Sequence, residues 1–145
     1  MLLSKQSIRE IQAFCEEWKP SHCLVLNFRR GIVPSERQLE RAASGCLHRI
    51  QRWCFPRRPR PWERLSALGY VEVGKQSERL HLHILAKIPP SPSHNFTEET
   101  LARAWRASAR YIAAEVWTEP PENATAWFIY SQKQWKGGGT PIVYR

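Results

Sequence analysis

Two histidines one residue apart, His81 and His83, sit inside the apolar run "RLHLHILAKIP" at residues 79–89. In a strand, residues i and i+2 share a face, so both imidazoles point one way while Leu82, Ile84 and Ala86 point the other. Imidazole is a common metal ligand, and a metal site needs several ligands converging from rigid elements. The preceding run "LGYVEVG" (68–74) reads as the partner strand of a hairpin with "KQSE" as its turn. Glu72 opposite His81 leaves a four-residue loop (75–78), and Glu72 opposite His83 leaves a two-residue loop. Either register puts Glu72 on the histidine face. Two imidazoles and a carboxylate with open positions suit Mn²⁺ or Mg²⁺ bound beside a phosphate.

The second group is "YSQK", residues 130–133. On a helix, Tyr130 and Lys133 share a face and can meet at one phosphate, and Gln134 lies on that face too. Tyrosine is a poor nucleophile at its ordinary pKa of about 10. A nearby cation favours the phenolate, and a metal polarising the phosphate lowers the demand on it. Bland readings exist for both groups: a polar strand face, and a helix aromatic packing beside Trp127. Residue 85 is Leu, which removes the HxHxD metallo-hydrolase pattern and the histidine-triad pattern.

The elements that must position these residues follow from periodicity. Residues 4–18 place Ile8, Ile11 and Cys15 at helical spacing, and Lys19-Pro20 ends that helix. "HCLVLNF" (22–28) is a buried strand. Ser35 caps a helix to about residue 54, with Gln38 completing a capping box. "FPRRPRPW" (55–62) is an exposed basic loop. The hairpin follows, then a helix capped by Thr97, a strand at 111–118, and a helix at 124–135 ended by Gly137-Gly138-Gly139. The expected fold class is α+β, a central antiparallel sheet carrying the HxH hairpin strand and flanked by helices.

The 145 residues suit one domain with a real core. Lys and Arg number 22 against 13 Asp and Glu, a formal +9 with 16 Arg, which favours bidentate contact with phosphate. Nucleic acid is the first partner this implies. No run approaches the roughly 20 apolar residues of a membrane span, and the N-terminus is too charged for a secretory signal. The cysteines Cys15, Cys23, Cys46 and Cys54 form no CxxC pair and read as buried thiols in a reducing, intracellular compartment.

With "HLH" (81–83) first and "YSQK" (130–133) later, the sequence resembles the HUH endonucleases. The order is that of single-tyrosine rolling-circle replication initiators, the Rep nickase domains. "LVLNF" (24–28) stands where those proteins have their first strand, and Glu72 precedes His81 by nine residues, so the resemblance spans about residues 22–136. It implies a ferredoxin- or RRM-like core, with His81, His83 and Glu72 holding Mn²⁺ or Mg²⁺. Tyr130 would be the nucleophile and Lys133 the residue that orients or neutralises the phosphate. The reaction implied is nicking and joining of single-stranded DNA through a 5′-phosphotyrosine. Its setting would be a hairpin origin in the cytoplasm of a bacterial host, or the nucleus for a eukaryotic virus. No Walker motif follows, so the expectation is a helicase that is absent or has been removed, with a host replication helicase as one candidate partner. Single-tyrosine transposases of the same superfamily resemble "YSQKQ" as well, making Gln134 a rival third ligand; residue 126 is Ala, where two-tyrosine initiators carry another tyrosine. A non-catalytic nucleic-acid-binding protein is the alternative from a different class.

Single-strand binders combine cations with aromatic surfaces. "RIQRWCFPRRPRPWER" (49–64) interleaves Arg49, Arg52, Arg57, Arg58, Arg60 and Arg64 with Trp53, Phe55 and Trp62, and is the expected DNA contact. Arg29 and Arg30, just after the first strand, are lesser candidates.

Overall fold

The computed structural model describes residues 5–73, 80–91, 95–121, 124–127 and 142–144. Helix α1 (Lys5–Trp18) is followed by β1 (His22–Phe28), α2 (Glu36–Cys54), β2 (Ser66–Val73), β3 (Leu80–Lys87), α3 (Glu98–Ser108), β4 (Ala113–Glu119) and β5 (Ile142–Tyr144). A short 3₁₀ turn, Pro61–Glu63, precedes β2, and another, Arg110–Ile112, precedes β4.

The strands form one antiparallel sheet in the order β4-β1-β3-β2-β5. Period-two alternation sorts its residues onto two faces. Leu24, Leu26 and Phe28 of β1 and Leu82, Ile84 and Ala86 of β3 meet Leu39, Ala43, Cys46, Leu47 and Ile50 of α2 and Leu101, Ala104 and Trp105 of α3. This is the main core, and α2 and α3 both lie on that face. Among its members, Trp105 is completely buried; its ring meets Phe28 edge-on at 5.2 Å, and its indole N–H donates to the Asn27 carbonyl at 3.0 Å.

Local sequence explains the helix starts. Gln38 N–H donates to the Ser35 hydroxyl at 3.2 Å, and the Ser35 N–H donates to Gln38 Oε1 at 2.9 Å, which is the expected capping box. The Thr97 hydroxyl accepts from the Thr100 N–H at 3.3 Å at the start of α3. After β1 the chain turns at Arg29–Ile32, closed by the Ile32 N–H on the Arg29 carbonyl at 3.2 Å. Gly31 supplies the positive φ of 76° that this turn uses.

β5 was not expected from the sequence, and it carries the sheet beyond the anticipated core boundary at residue 136. Ala67, Leu68 and Gly69 pair with Tyr144, Val143 and Ile142, so a three-residue segment occupies the otherwise open edge of β2. The stretch expected as a helix at 124–135 is helical at 124–127, and the remainder lies outside the described residues. No described helix is long and apolar enough to cross a membrane.

All four cysteines are free and buried, as expected. Burial pushes the Cys23 thiol up to about 11 and that of Cys46 to about 12, and it raises Cys15 and Cys54 as well. Thiolate is the reactive form, so the native protein is expected to react slowly with Ellman's reagent and to release four equivalents at once in denaturant. Rapid native labelling of any of the four would contradict this packing.

Candidate functional site

The face of the sheet opposite α2 and α3 carries Cys23, Val25 and Asn27 of β1, His81, His83 and Leu85 of β3, and Leu68, Tyr70 and Glu72 of β2. Its lower part is covered by α1, where the Trp18 indole donates to the Ser66 hydroxyl at 2.7 Å and Cys15 is hydrogen-bonded to Thr125. Of the two registers, the first is found: Glu72 pairs with His81, and Tyr70 with His83.

The carboxylate nevertheless bonds diagonally. Glu72 Oε2 lies 2.9 Å from His83 Nε2, and the two side chains are 22% and 20% exposed, so solutes can reach the pair. Tyr70, which is buried, stacks on the His83 ring with centroids 5.2 Å apart and planes at 13°. Burial pushes the His83 pKa down more than Glu72 pulls it up, and His81 lowers it further. His83 is therefore a neutral imidazole at neutral pH, the form that ligates a metal.

His81 is held from the other side. Its Nδ1 is hydrogen-bonded to Asn27 Oδ1, and Asn27 Nδ2 donates to the Glu115 carbonyl at 2.9 Å. That second bond fixes the amide, so its oxygen faces the ring and accepts from Nδ1–H. The tautomer with its proton on Nδ1 is the one this bond selects, which puts the lone pair on Nε2. Asn27 is 1% exposed, and Trp105 braces its backbone from the core side.

Among the described residues, no three His, Cys, Asp or Glu side chains already close around one point. His83 leans to β2 and His81 to β1, with ring centroids 6.2 Å apart. Two imidazoles and a carboxylate are nevertheless donor types that a small divalent ion would take. The 2.9 Å between His83 Nε2 and Glu72 Oε2 matches the about 3.0 Å between adjacent corners of an octahedron with 2.1 Å bonds. For His81 to join them, its ring would have to turn its Nε2 edge toward β2. Glu119 of β4 also acts electrostatically on His83, so this face is locally acidic within a basic chain.

Trp127 reaches the same face, its ring 5.2 Å from Tyr70 and inclined at 64°. Tyr130, Lys133 and Gln134 lie outside the described residues. Of the expected DNA contacts, Arg52, Arg57, Arg58 and Arg64 line one pocket, and Arg60 lies over the Trp62 ring at 5.5 Å. The Arg49 guanidinium instead joins α2 to α3, donating to the Ser108 hydroxyl at 3.0 Å. Arg29 donates to the Ala113 carbonyl at 3.3 Å, and Arg30 is exposed beside it.

No protein-family model matches the chain, and neither a curated protein nor a solved structure is significantly similar to it. The site is therefore read on its own geometry. Sequence reasoning missed Asn27 and Tyr70. The signal for Asn27 was present, since an amide inside "HCLVLNF" contradicts both strand preference and burial.

His22 shares with His83 a pKa lowered chiefly by burial. The unfolded chain therefore binds more protons than the native one below the unperturbed value of about 6.5. Stability from these groups is complete above that pH and falls as pH drops through the window down to their folded pKa values. Urea unfolding midpoints are expected to be flat from pH 7 to 8 and to fall below about 6.5, with a smaller fall in His22→Phe. A midpoint that rises on acidification would reverse the assignment.

Proposed function

We propose that this chain is a metal-dependent endonuclease of HUH type that nicks and rejoins single-stranded DNA and initiates rolling-circle replication. The observation that carries the reading is the His83–Glu72 contact at 2.9 Å, beside a His81 whose tautomer is set by Asn27. The topology supports it: β1-α2-β2-β3-α3-β4 in the order β4-β1-β3-β2 is the split-βαβ, ferredoxin-like arrangement that the resemblance implies. The direct bond to His83 favours Glu72 over Gln134 as third ligand.

In this reading His81, His83 and Glu72 would hold Mn²⁺ or Mg²⁺, which would supply Lewis-acid polarisation of the scissile phosphate. Tyr130 follows Trp127 by three residues, and on the expected helix it would stand one turn further along the site face. Its phenolic oxygen forms a bond to phosphorus as the P–O3′ bond breaks. The phenol proton leaves to solvent, and the 3′ oxygen takes one up. Lys133 neutralises charge on the phosphate. Attack by a 3′-OH on the phosphotyrosine reverses the step and rejoins the strand without ATP.

The test is a denaturing gel of the protein incubated with a randomised single-stranded oligonucleotide pool and Mn²⁺. A covalent protein–DNA band is expected, lost with EDTA and in Tyr130→Phe. Tight binding with no band from a diverse pool would replace this reading with a non-catalytic binding protein. A band that survives Tyr130→Phe would move the nucleophile to Tyr111, which is exposed, since Tyr144 stands on the opposite face of the sheet.

A further inference from the structure

A second site lies on the other face of the sheet. The C-terminal turn of α2, the proline-bearing segment after it and β5 enclose a half-open pocket of about 350 Å³. Arg52, Arg57, Arg58 and Arg64 line it together with the rings of Phe55 and Tyr144. None of the lining residues is Asp or Glu. Among the described residues, the four guanidinium groups make no ion pair. Four guanidiniums around one cavity, with no acidic partner among the described residues, repel one another unless an anion is shared among them.

The pocket is built rather than incidental. Pro56, Pro59 and Pro61 restrict the backbone of the basic segment. Gln51, a buried amide on α2, uses both ends to hold it: Nε2 donates to the Glu63 carbonyl at 2.9 Å, and Oε1 accepts from the Leu65 N–H. The turn at 61–63 is further tied by Glu63 Oε1 accepting from the Arg60 N–H at 3.1 Å. The arginines thus stand on a braced loop, and binding need not first order it. Tyr144 pairs with Ala67 on the helix side of the sheet, which sets this pocket on the face opposite His81 and His83.

We propose that this pocket is a nucleotide subsite for single-stranded nucleic acid, the guanidiniums taking the phosphates on either side of one base and Phe55 and Tyr144 receiving the base. The volume suits one nucleotide, and planar forks with aromatic faces match the two parts of that ligand. The choice of nucleic acid as ligand rests on the function proposed above. A strand that occupied both sites would cross the sheet edge at β5, next to the β2 strand that carries Glu72.

The test measures binding of a fluorescein-labelled oligothymidine of about 20 nucleotides by anisotropy, in EDTA, over a salt series. Arg52→Ala/Arg57→Ala/Arg58→Ala is compared with Arg9→Ala/Arg37→Ala/Arg41→Ala, which removes equal charge outside the pocket. The pocket triple is expected to weaken binding about 100-fold near 0.1 M salt and to flatten the log–log salt slope by about 1.4, at about 0.7 for each of the two lost phosphate contacts. The control triple is expected to change either quantity little. In parallel, a 5-iodouridine-substituted oligonucleotide is photocrosslinked and the attached peptide sequenced, with Phe55 or Tyr144 the expected partner. Equal losses in the two triples, or crosslinks confined to other residues, would overturn the subsite. Because binding is read without metal or cleavage, failure of the covalent-adduct test leaves this result intact, and failure here leaves the nuclease reading intact.

Discussion

His81→Ala/His83→Ala is expected to slow covalent-adduct formation by about 10³-fold while leaving oligonucleotide binding in EDTA within a few fold. The two side chains supply the nitrogen donors of the proposed ion, and loss of several kcal/mol of Lewis-acid stabilisation at 1.36 kcal/mol per decade gives that magnitude. Fold should survive, because both rings stand on the partly exposed face and their neighbours Leu82 and Ile84 make the core contacts. Single-turnover cleavage by the double variant, with thermal melting as a folding control, checks this. Wild-type rates in a folded double variant would remove the metal site from the reaction. Asn27→Ala should act on the same step more weakly, by about 10–100-fold, since it frees the His81 ring without deleting a ligand.

Trp105→Ala is expected to cost about 3–5 kcal/mol, the largest stability effect of any single truncation in the core. The ring is fully buried against Phe28, and its N–H satisfies the carbonyl of Asn27. Against a typical total of about 5–15 kcal/mol, that loss leaves a marginal fold. Trp105→Phe separates the two contributions. It keeps most of the packing but removes the hydrogen bond to the Asn27 carbonyl, at about 0.5–1.5 kcal/mol. Chemical denaturation of the two variants measures both. Because Asn27 joins Trp105 on one side to His81 on the other, Trp105→Phe should also reduce adduct formation at temperatures where the protein remains folded. Unchanged cleavage would mean that the core does not set the position of His81.

What could be read in advance was local. The Ser35–Gln38 capping box and the Thr97 cap involve residues three apart, so sequence specifies both partners at once. The shared face of His81, His83 and Glu72 follows from strand periodicity alone, whichever register the hairpin takes. Net charge and the arginine-rich segment at 49–64 pointed to an anionic partner before any pocket was visible.

What remained hidden depended on contacts between distant segments. Asn27 meets His81 across 54 positions, and Trp105 meets Asn27 across 78; such pairs exist only once β1 lies between β3 and β4 and α3 packs beneath it. β5 is three residues long, too short for periodicity to mark, and it becomes a strand only because β2 offers an open edge. The same holds for the arginines. Arg49 and Arg52 are three apart on α2, yet one is spent bridging to Ser108 and the other faces the pocket, a division set by where α3 and the Gln51-braced loop come to rest. By itself the sequence determined which residue types lie on which face of each element, because that follows from covalent geometry. Only the tertiary structure decided which faces meet, because packing, not periodicity, selects the neighbours.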